Sequence, residues 1–181
     1  MDAVTSTKLS SSDKNNLKII YDALEKINIP TVFTNVGVIP RRHHSNRTGT
    51  FNQRNARQTS FGLTTYMGKR QDSVNTKKYP HILPLFKNFI DLHIPNFTFS
   101  TVYVNKNTVA KQHLDKKNSG ESLLVGFYDY IGGETVLHNI GETGDKVKFN
   151  IQESSIIFDG SKIVHSSEPF TGTRYSLVFF K

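Results

Sequence analysis

Residues 154–180, SSIIFDGSKIVHSSEPFTGTRYSLVFF, decide the fold. Two runs rich in β-branched and aromatic residues, 154–158 and 174–180, flank a stretch interrupted by Asp159-Gly160 and Gly172. Short runs of this kind, bounded by turn residues, read as strands. The same texture reaches upstream to Asn96. Residues 97–104 (FTFSTVYV), 122–128 (SLLVGFY), 134–138 and 146–151 also read as strands, separated by turns at Gly132-Gly133 and Gly141 to Gly144. Their spacing suits a sandwich or barrel rather than βαβ units. Candidate strands at 31–38 and 61–67 bring the total to about eight, and a mainly β jelly roll with flanking helices is the architecture expected.

Toward the N-terminus the period changes. Leu17, Ile20, Ala23, Leu24 and Ile27 recur at helical spacing from an N-cap at Ser12 or Asp13 until Pro30 stops the pattern. Ile82, Leu83, Phe86, Phe89 and Ile90 mark a second amphipathic helix between Pro80 and Pro95. Residues 1–12 are polar and Ser/Thr-rich and read as a loose tail. Residues 13–181 then form one domain, with its β core at about 96–181. No internal repeat or interdomain linker interrupts it.

The 181 residues contain no Cys, which excludes disulfides, thiolate zinc sites and cysteine nucleophiles. The opening residues lack the apolar core of a signal peptide, and no run approaches the roughly 18 apolar residues of a membrane span. The expectation is an intracellular protein, nuclear if eukaryotic. Lys and Arg total 23 against 15 acids, a net charge of +8, which favours a polyanionic partner. Much of the excess lies in residues 40–60, PRRHHSNRTGTFNQRNARQTS, where Arg41, Arg42, Arg47, Arg54 and Arg57 occur without an acid. Arg with Asn and Gln is the chemistry that meets phosphates and base edges, and His43-His44 reads as part of that basic surface.

The chemistry centres on His113-Leu-Asp115, which follows the strand 97–104 and its loop, and on His165, which precedes the last strand. A jelly roll can bring the three together. Two imidazoles and a carboxylate on one face of a metal form the facial triad of non-haem Fe(II) oxygenases, with positions left open for a co-substrate and O₂. Arg174 and Ser176 project to the same side of the last strand because strand side chains alternate. A guanidinium fork with an adjacent hydroxyl suits the far carboxylate of 2-oxoglutarate. By contrast, Asp159-Gly160 reads as a turn, His138 as a half-buried strand-end residue, and Gly132-Gly133 as a turn without the strand-to-helix setting of a phosphate loop.

The ordered set His113-x-Asp115, His165 and Arg174-x-Ser176 resembles the Fe(II)- and 2-oxoglutarate-dependent dioxygenase superfamily, with its cupin-like double-stranded β-helix. The likeness covers about residues 30–181. Within it, His113-Leu-Asp115-Lys-Lys-Asn118 is similar to the H-x-D-x-x-N of the TET/JBP branch, which oxidises the 5-methyl group of pyrimidines in nucleic acid. Gly120-Glu-Ser122-Leu-Leu-Val resembles the turn and strand that follow, and Thr173-Arg174-Tyr-Ser176-Leu177-Val178-Phe179 its T-R-x-S-L-V-F ending.

The resemblance implies that His113, Asp115 and His165 ligate Fe(II), that Arg174 and Ser176 bind 2-oxoglutarate, and that Asn118 contacts the target base. It places Asn105 near the metal-proximal carboxylate, with Tyr103 on the same face, and gives Phe180 the role of the aromatic that packs against an extruded base. DNA, with RNA as the other candidate, would be the partner, docked by the arginines of 40–60. A base within a duplex must leave the stack to reach such a site. A prolyl- or lysyl-type protein hydroxylase would use the same metal site on a different substrate.

Overall fold

The computed structural model describes residues 4–31, 56–140 and 144–181. In chain order these form β1 (Thr5–Lys8), α1 (Ser11–Leu24), β2 (Arg57–Tyr66), β3 (Lys69–Asp72), α2 (Val74–Lys78), α3 (Ile82–His93), β4 (Thr101–Lys106) and β5 (Ser122–Phe127). There follow β6 (Tyr130–Gly132), β7 (Thr135–Ile140), β8 (Asp145–Phe149), β9 (Ser154–Phe158), β10 (His165–Ser167), β11 (Phe170–Gly172) and β12 (Tyr175–Phe180). The main sheet has the order β1-β9-β5-β12-β4-β2-β3. A smaller sheet, β10-β7-β8, and the ribbon β11-β6 complete an antiparallel jelly roll.

Alternation along β12 shows how the layers divide the work. Tyr175, Leu177 and Phe179 are fully buried in a cluster with Leu17, Ile20 and Leu24 of α1 and Phe86 and Phe89 of α3. Burying each such large apolar side chain is worth about 1.5–3 kcal/mol, so the outer face of the main sheet carries most of the core. Val178 points the other way, against Leu124, Leu137, Ile151, Ile156, Phe158 and Ile163 between the two sheets. Arg174 and Ser176 continue this inward row toward a cavity that also holds His113, Asp115 and His165.

The expected 1–12 tail is shorter than its composition suggests. Residues 5–8 pair with β9 as an edge strand, Leu9 is buried, and Ser10 caps α1. Ser10 rather than Ser12 or Asp13 is the N-cap because Asp13 then falls at the third helical position and closes a reciprocal capping box. Helix α1 ends at Leu24, before Pro30. The strand expected at 97–104 is shifted to Thr101–Lys106, and the one expected at 61–67 begins earlier, at Arg57. Strands β3, β6, β10 and β11 and the short α2 were not signalled. Of the candidate strand 31–38, Thr31 bridges Arg57 and the remainder lies outside the described residues, as do positions 40–55 of the basic loop.

One buried polar network locks the helices to the sheet. Asp13 Oδ2 accepts from Ser10 N and Oγ and lies 3.1 Å from His93 Nδ1, whose Nε2 lies 2.8 Å from Ser155 Oγ. The order Asp–His–Ser is that of a hydrolase triad, yet Ser155 has no exposed surface. No acyl group can reach it, so the network is a structural tie between α1, α3 and β9.

Candidate metal and co-substrate site

The reciprocal backbone bonds His113 N–H to His165 O (3.0 Å) and His165 N–H to His113 O (3.1 Å) make the two histidines a directly opposed antiparallel pair. Such a pair projects both side chains to one face, and the ring centroids are 4.2 Å apart. Asp115 is drawn in by its own N–H, which donates to Gly160 O at 2.8 Å. Its carboxylate oxygens then lie 3.5 Å from His113 Nε2 and 3.4 Å from His165 Nε2. Gly160 makes this approach possible, because a Cβ there would stand 3.1 Å from Asp115 Oδ2 and 3.5 Å from His165 Cε1.

The other ring nitrogens face main-chain carbonyls: His113 Nδ1 is 2.7 Å from Lys111 O, and His165 Nδ1 is 2.9 Å from Ile163 O. A carbonyl only accepts, so each Nδ1 carries a hydrogen and each Nε2 is the ring atom that faces the site. Burial alone would push the Asp115 carboxyl up, but the two imidazoles outweigh it and hold it well below the usual carboxylate range. Burial likewise works to lower His113, and the facing carboxylate of Asp115 leaves it net raised. All three ligand atoms lie within 4.8 Å of one another. Donors about 2.1 Å from one cation stand about 3.0–3.4 Å apart at right or tetrahedral angles, so the spacing and the donor set fit a divalent transition metal.

The same cavity ends at Arg174. This side chain is 3% exposed and forms no ion pair among the described residues. Its guanidinium lies over the rings of Tyr130 and Phe170, 5.6 and 5.9 Å from their centroids. Its Nε has no hydrogen-bond partner, and neither does the hydroxyl of Tyr130 or of Thr135. Gly133, at φ +70°, lets the side chain pass, since a Cβ there would stand 3.0 Å from Arg174 Cδ and Nε. The backbone is fixed by Asn107, which accepts from Arg174 N at 2.9 Å and donates back to Arg174 O. A buried cation with no carboxylate in ion-pair contact, and with Glu134 acting on it only through space, has the chemistry to receive an anion. The carboxylate of 2-oxoglutarate fits that description.

Between the two ends lie Asn105, Ser176, Gln58 and Thr108. Gln58 Nε2 donates to Asn105 Oδ1 at 2.8 Å, which turns the Asn105 amide nitrogen toward Ser176 Oγ, 3.5 Å away. Asn118 lines the cavity from the turn that follows Asp115. Tyr103 also lines it and is 37% exposed, whereas Phe180 is 8% exposed and packs edge-on against Tyr103, with centroids 4.8 Å apart. The ring available at the mouth is therefore Tyr103, with Phe180 behind it.

Arg57 is not among these groups. It begins β2 on the helix-facing side, where Nη1 donates to Ile29 O at 3.1 Å, and strand parity places its neighbour Gln58 in the cavity instead. Arg41, Arg42, Arg47, Arg54 and the pair His43-His44 lie outside the described residues. The sequence reading passed over several residues that matter here: Gln58, Tyr130, Thr135, Gly133 and Gly160. The glycines were visible only as turn signals. His138 is more than a half-buried strand end: it lies 3.3 Å from Gln112 Nε2 and 2.8 Å from Ser166 Oγ, the side chains flanking His113 and His165.

No family model and no curated protein matches this chain. Solved structures do. A Burkholderia pseudomallei oxidoreductase of the 2OG-Fe(II) oxygenase family aligns over 98% of this chain and 84% of its own at TM-score 0.66 and 15% identity. OsALKBH1 aligns over 100% and 99% at TM-score 0.58 and 13% identity. A Pseudomonas putida prolyl-4-hydroxylase aligns over 99% and 92% at TM-score 0.55 and 11% identity. The fold is the jelly roll of the 2-oxoglutarate–Fe(II) oxygenases. These neighbours differ in name and kind, so the architecture does not single out the TET/JBP branch that the motifs resemble.

Proposed function

We propose that this chain is an Fe(II)- and 2-oxoglutarate-dependent dioxygenase that hydroxylates the 5-methyl group of a pyrimidine base in DNA. The observation that carries the enzyme class is the single cavity with a His113–Asp115–His165 donor set at one end and the unpaired, buried Arg174 at the other. When bound, iron with 2-oxoglutarate and O₂ would supply the oxidation of an unactivated C–H bond, with succinate and CO₂ as co-products.

The protein's part is positional. His113, Asp115 and His165 would hold the metal from one side and leave its other positions open. The Nδ1–H bonds to Lys111 O and Ile163 O keep both rings in the ligating tautomer before metal arrives. Metal binding requires His113 Nε2 to be free of a proton, and the ionised Asp115 is already prepared as a ligand. Arg174 and Ser176 would take the distal carboxylate, while Gln58 holds Asn105 in its orientation. Leu124, Phe158 and Val178 form apolar walls that exclude water.

The substrate reading draws on the H-x-D-x-x-N and T-R-x-S-L-V-F likeness, supported by the position of Asn118 in the wall beside Asp115. The fold neighbour named as a prolyl-4-hydroxylase makes a protein substrate the competing case. Iron-loaded protein incubated with 2-oxoglutarate and 5-methylcytosine- or thymine-containing DNA should yield hydroxymethyl nucleosides by mass spectrometry, with matching succinate. His165→Ala should lose both iron and succinate formation. Succinate stimulated by a proline-containing peptide and not by DNA would overturn the substrate assignment and leave the enzyme class standing. Failure of the wild type to bind iron would overturn the enzyme class as well.

A further inference from the structure

Next to cavity-wall residues Asp115, Asn118 and Tyr103, the chain carries exposed cations that the reaction itself does not use. Lys116 and Lys117 are exposed on the turn between Asp115 and Asn118. Ser119 N–H donates to Lys181 O at 2.9 Å, which brings the exposed Lys181 to the same turn. Next along the chain is Phe180, the ring that supports Tyr103, and its carbonyl accepts from Ser100 N at 3.0 Å. Ser100 Oγ in turn accepts from the exposed Arg70 Nη2 at 2.7 Å. Arg70, Lys181, Lys116 and Lys117 are thus a belt of four cations on segments bonded to one another around Phe180 and Tyr103. None of the four pairs with a carboxylate among the described residues; the neighbouring acids are Glu121 and, two residues beyond Arg70 on β3, Asp72.

We infer that this belt seats the sugar-phosphate backbone of a single nucleic-acid strand and that Tyr103 receives one unpaired base at the entrance. The inference rests on the nucleic-acid reading of the site and adds the surface and strand state that serve it. Single strands are held by cations that track the backbone and by aromatic rings on which bases stack, and this edge offers both side by side. Every base carries a π face next to a backbone charge, a pairing that an acidic peptide offers only where aromatic residues interrupt its acids. The mouth also gives an unstacked base direct access to the cavity, without the cost of extruding it from a duplex.

The test is binding of a fluorescein-labelled single-stranded deoxyoligonucleotide to the full chain, followed by anisotropy across a salt series. Four phosphate contacts predict a log–log slope of about −2.8, at about −0.7 per contact on single strands. The combined Lys116→Ala, Lys117→Ala and Lys181→Ala variant should flatten the slope by about 2. From counter-ion release alone it should weaken binding roughly fifty-fold near 0.15 M salt. Tyr103→Ala should weaken binding about five-fold or more, and a strand with an abasic position in place of the target nucleotide should lose that difference. Equal affinity and slope for the wild type and the lysine variant would overturn the belt while leaving the nucleic-acid reading intact. Equal competition by poly-glutamate would overturn strand recognition in favour of general anion binding. A wild-type chain that binds no oligonucleotide but turns over a peptide would remove both the inference and the reading beneath it.

Discussion

Replacing Arg174 with Met separates what this residue does for the fold from what it does for the site. The guanidinium is 3% exposed, forms no ion pair among the described residues, and has an Nε without a partner. Burial presses its pKa below the ordinary value. An uncompensated buried ion costs several kcal/mol even after relaxation. Against this stand two cation–π contacts, with Tyr130 and Phe170, worth about 1–2 kcal/mol each when desolvated. The main-chain bonds with Asn107 survive any side-chain change, and a Met thioether keeps ring contacts of about 0.3–1.5 kcal/mol.

The balance favours the variant. Arg174→Met should stabilise the ligand-free protein by about 1–3 kcal/mol, a Tm rise of about 2–12 °C for a chain of this size. The wild type should gain about 2.7 kcal/mol from 2-oxoglutarate at a hundred times its Kd, and the variant nothing. Thermal unfolding with Mn(II) present, with and without 2-oxoglutarate, reads both effects. A lower Tm for Arg174→Met would show that the guanidinium is a structural brace, and a retained co-substrate shift would show that the carboxylate is held elsewhere. Either result would refute the reasoning.

Gly160→Ala should leave the fold intact and weaken metal binding about ten-fold by crowding Asp115 Oδ2, measured by chelator competition. His138→Ala frees Gln112 and Ser166 beside the two histidines and should also cost about ten-fold or more in metal affinity; His138→Gln, which can span one of the two bonds, should recover part of it. Asp13 gives a pH dependence. Burial works to raise its carboxyl, but donors from Ser10 and the facing His93 leave it below 3.8. Its contribution is therefore complete above the unfolded pKa and lost as pH falls through the lower folded value. Unfolding free energies from urea titrations of wild type and Asp13→Asn should differ by about 1 kcal/mol near neutrality and converge as pH falls below the folded-state titration of Asp13.

The strands were legible because alternation and turn chemistry are local properties. The candidate donor set His113, Asp115 and His165 was legible because its order along the chain matches a known arrangement. What escaped the sequence depends on pairing. The segment TSTK is nearly all exposed and carries no apolar stripe, so only its register with β9 makes it a strand. The three serines preceding Asp13 are equivalent caps until the helix reaches back and Asp13 selects Ser10. In the basic stretch, the choice between Arg57 and Gln58 as the residue that enters the cavity is a matter of strand parity. One step of register exchanges a helix-side anchor for a site residue. Tyr130 and Thr135 are ordinary strand residues in one dimension; their significance lies in hydroxyls left without partners beside Arg174.

Those unused groups also explain why the main sheet is built with two unlike faces. Leaving a buried polar group unpaired costs about 1–3 kcal/mol, more for a charged one. A sandwich interior holding Arg174, Tyr130 and Thr135 in that state is poorly suited to stabilise the domain alone. The cost is offset on the opposite face, where α1 and α3 cover Tyr175, Leu177 and Phe179 in the larger core. Neighbouring residues of β12 thus serve opposite ends: odd positions bind the helices, while even positions and Arg174 face the cavity. Substitutions at Leu177 or Phe179 should therefore act on stability, and those at Arg174 or Ser176 on ligand affinity. That separation follows from the two-residue period of one strand.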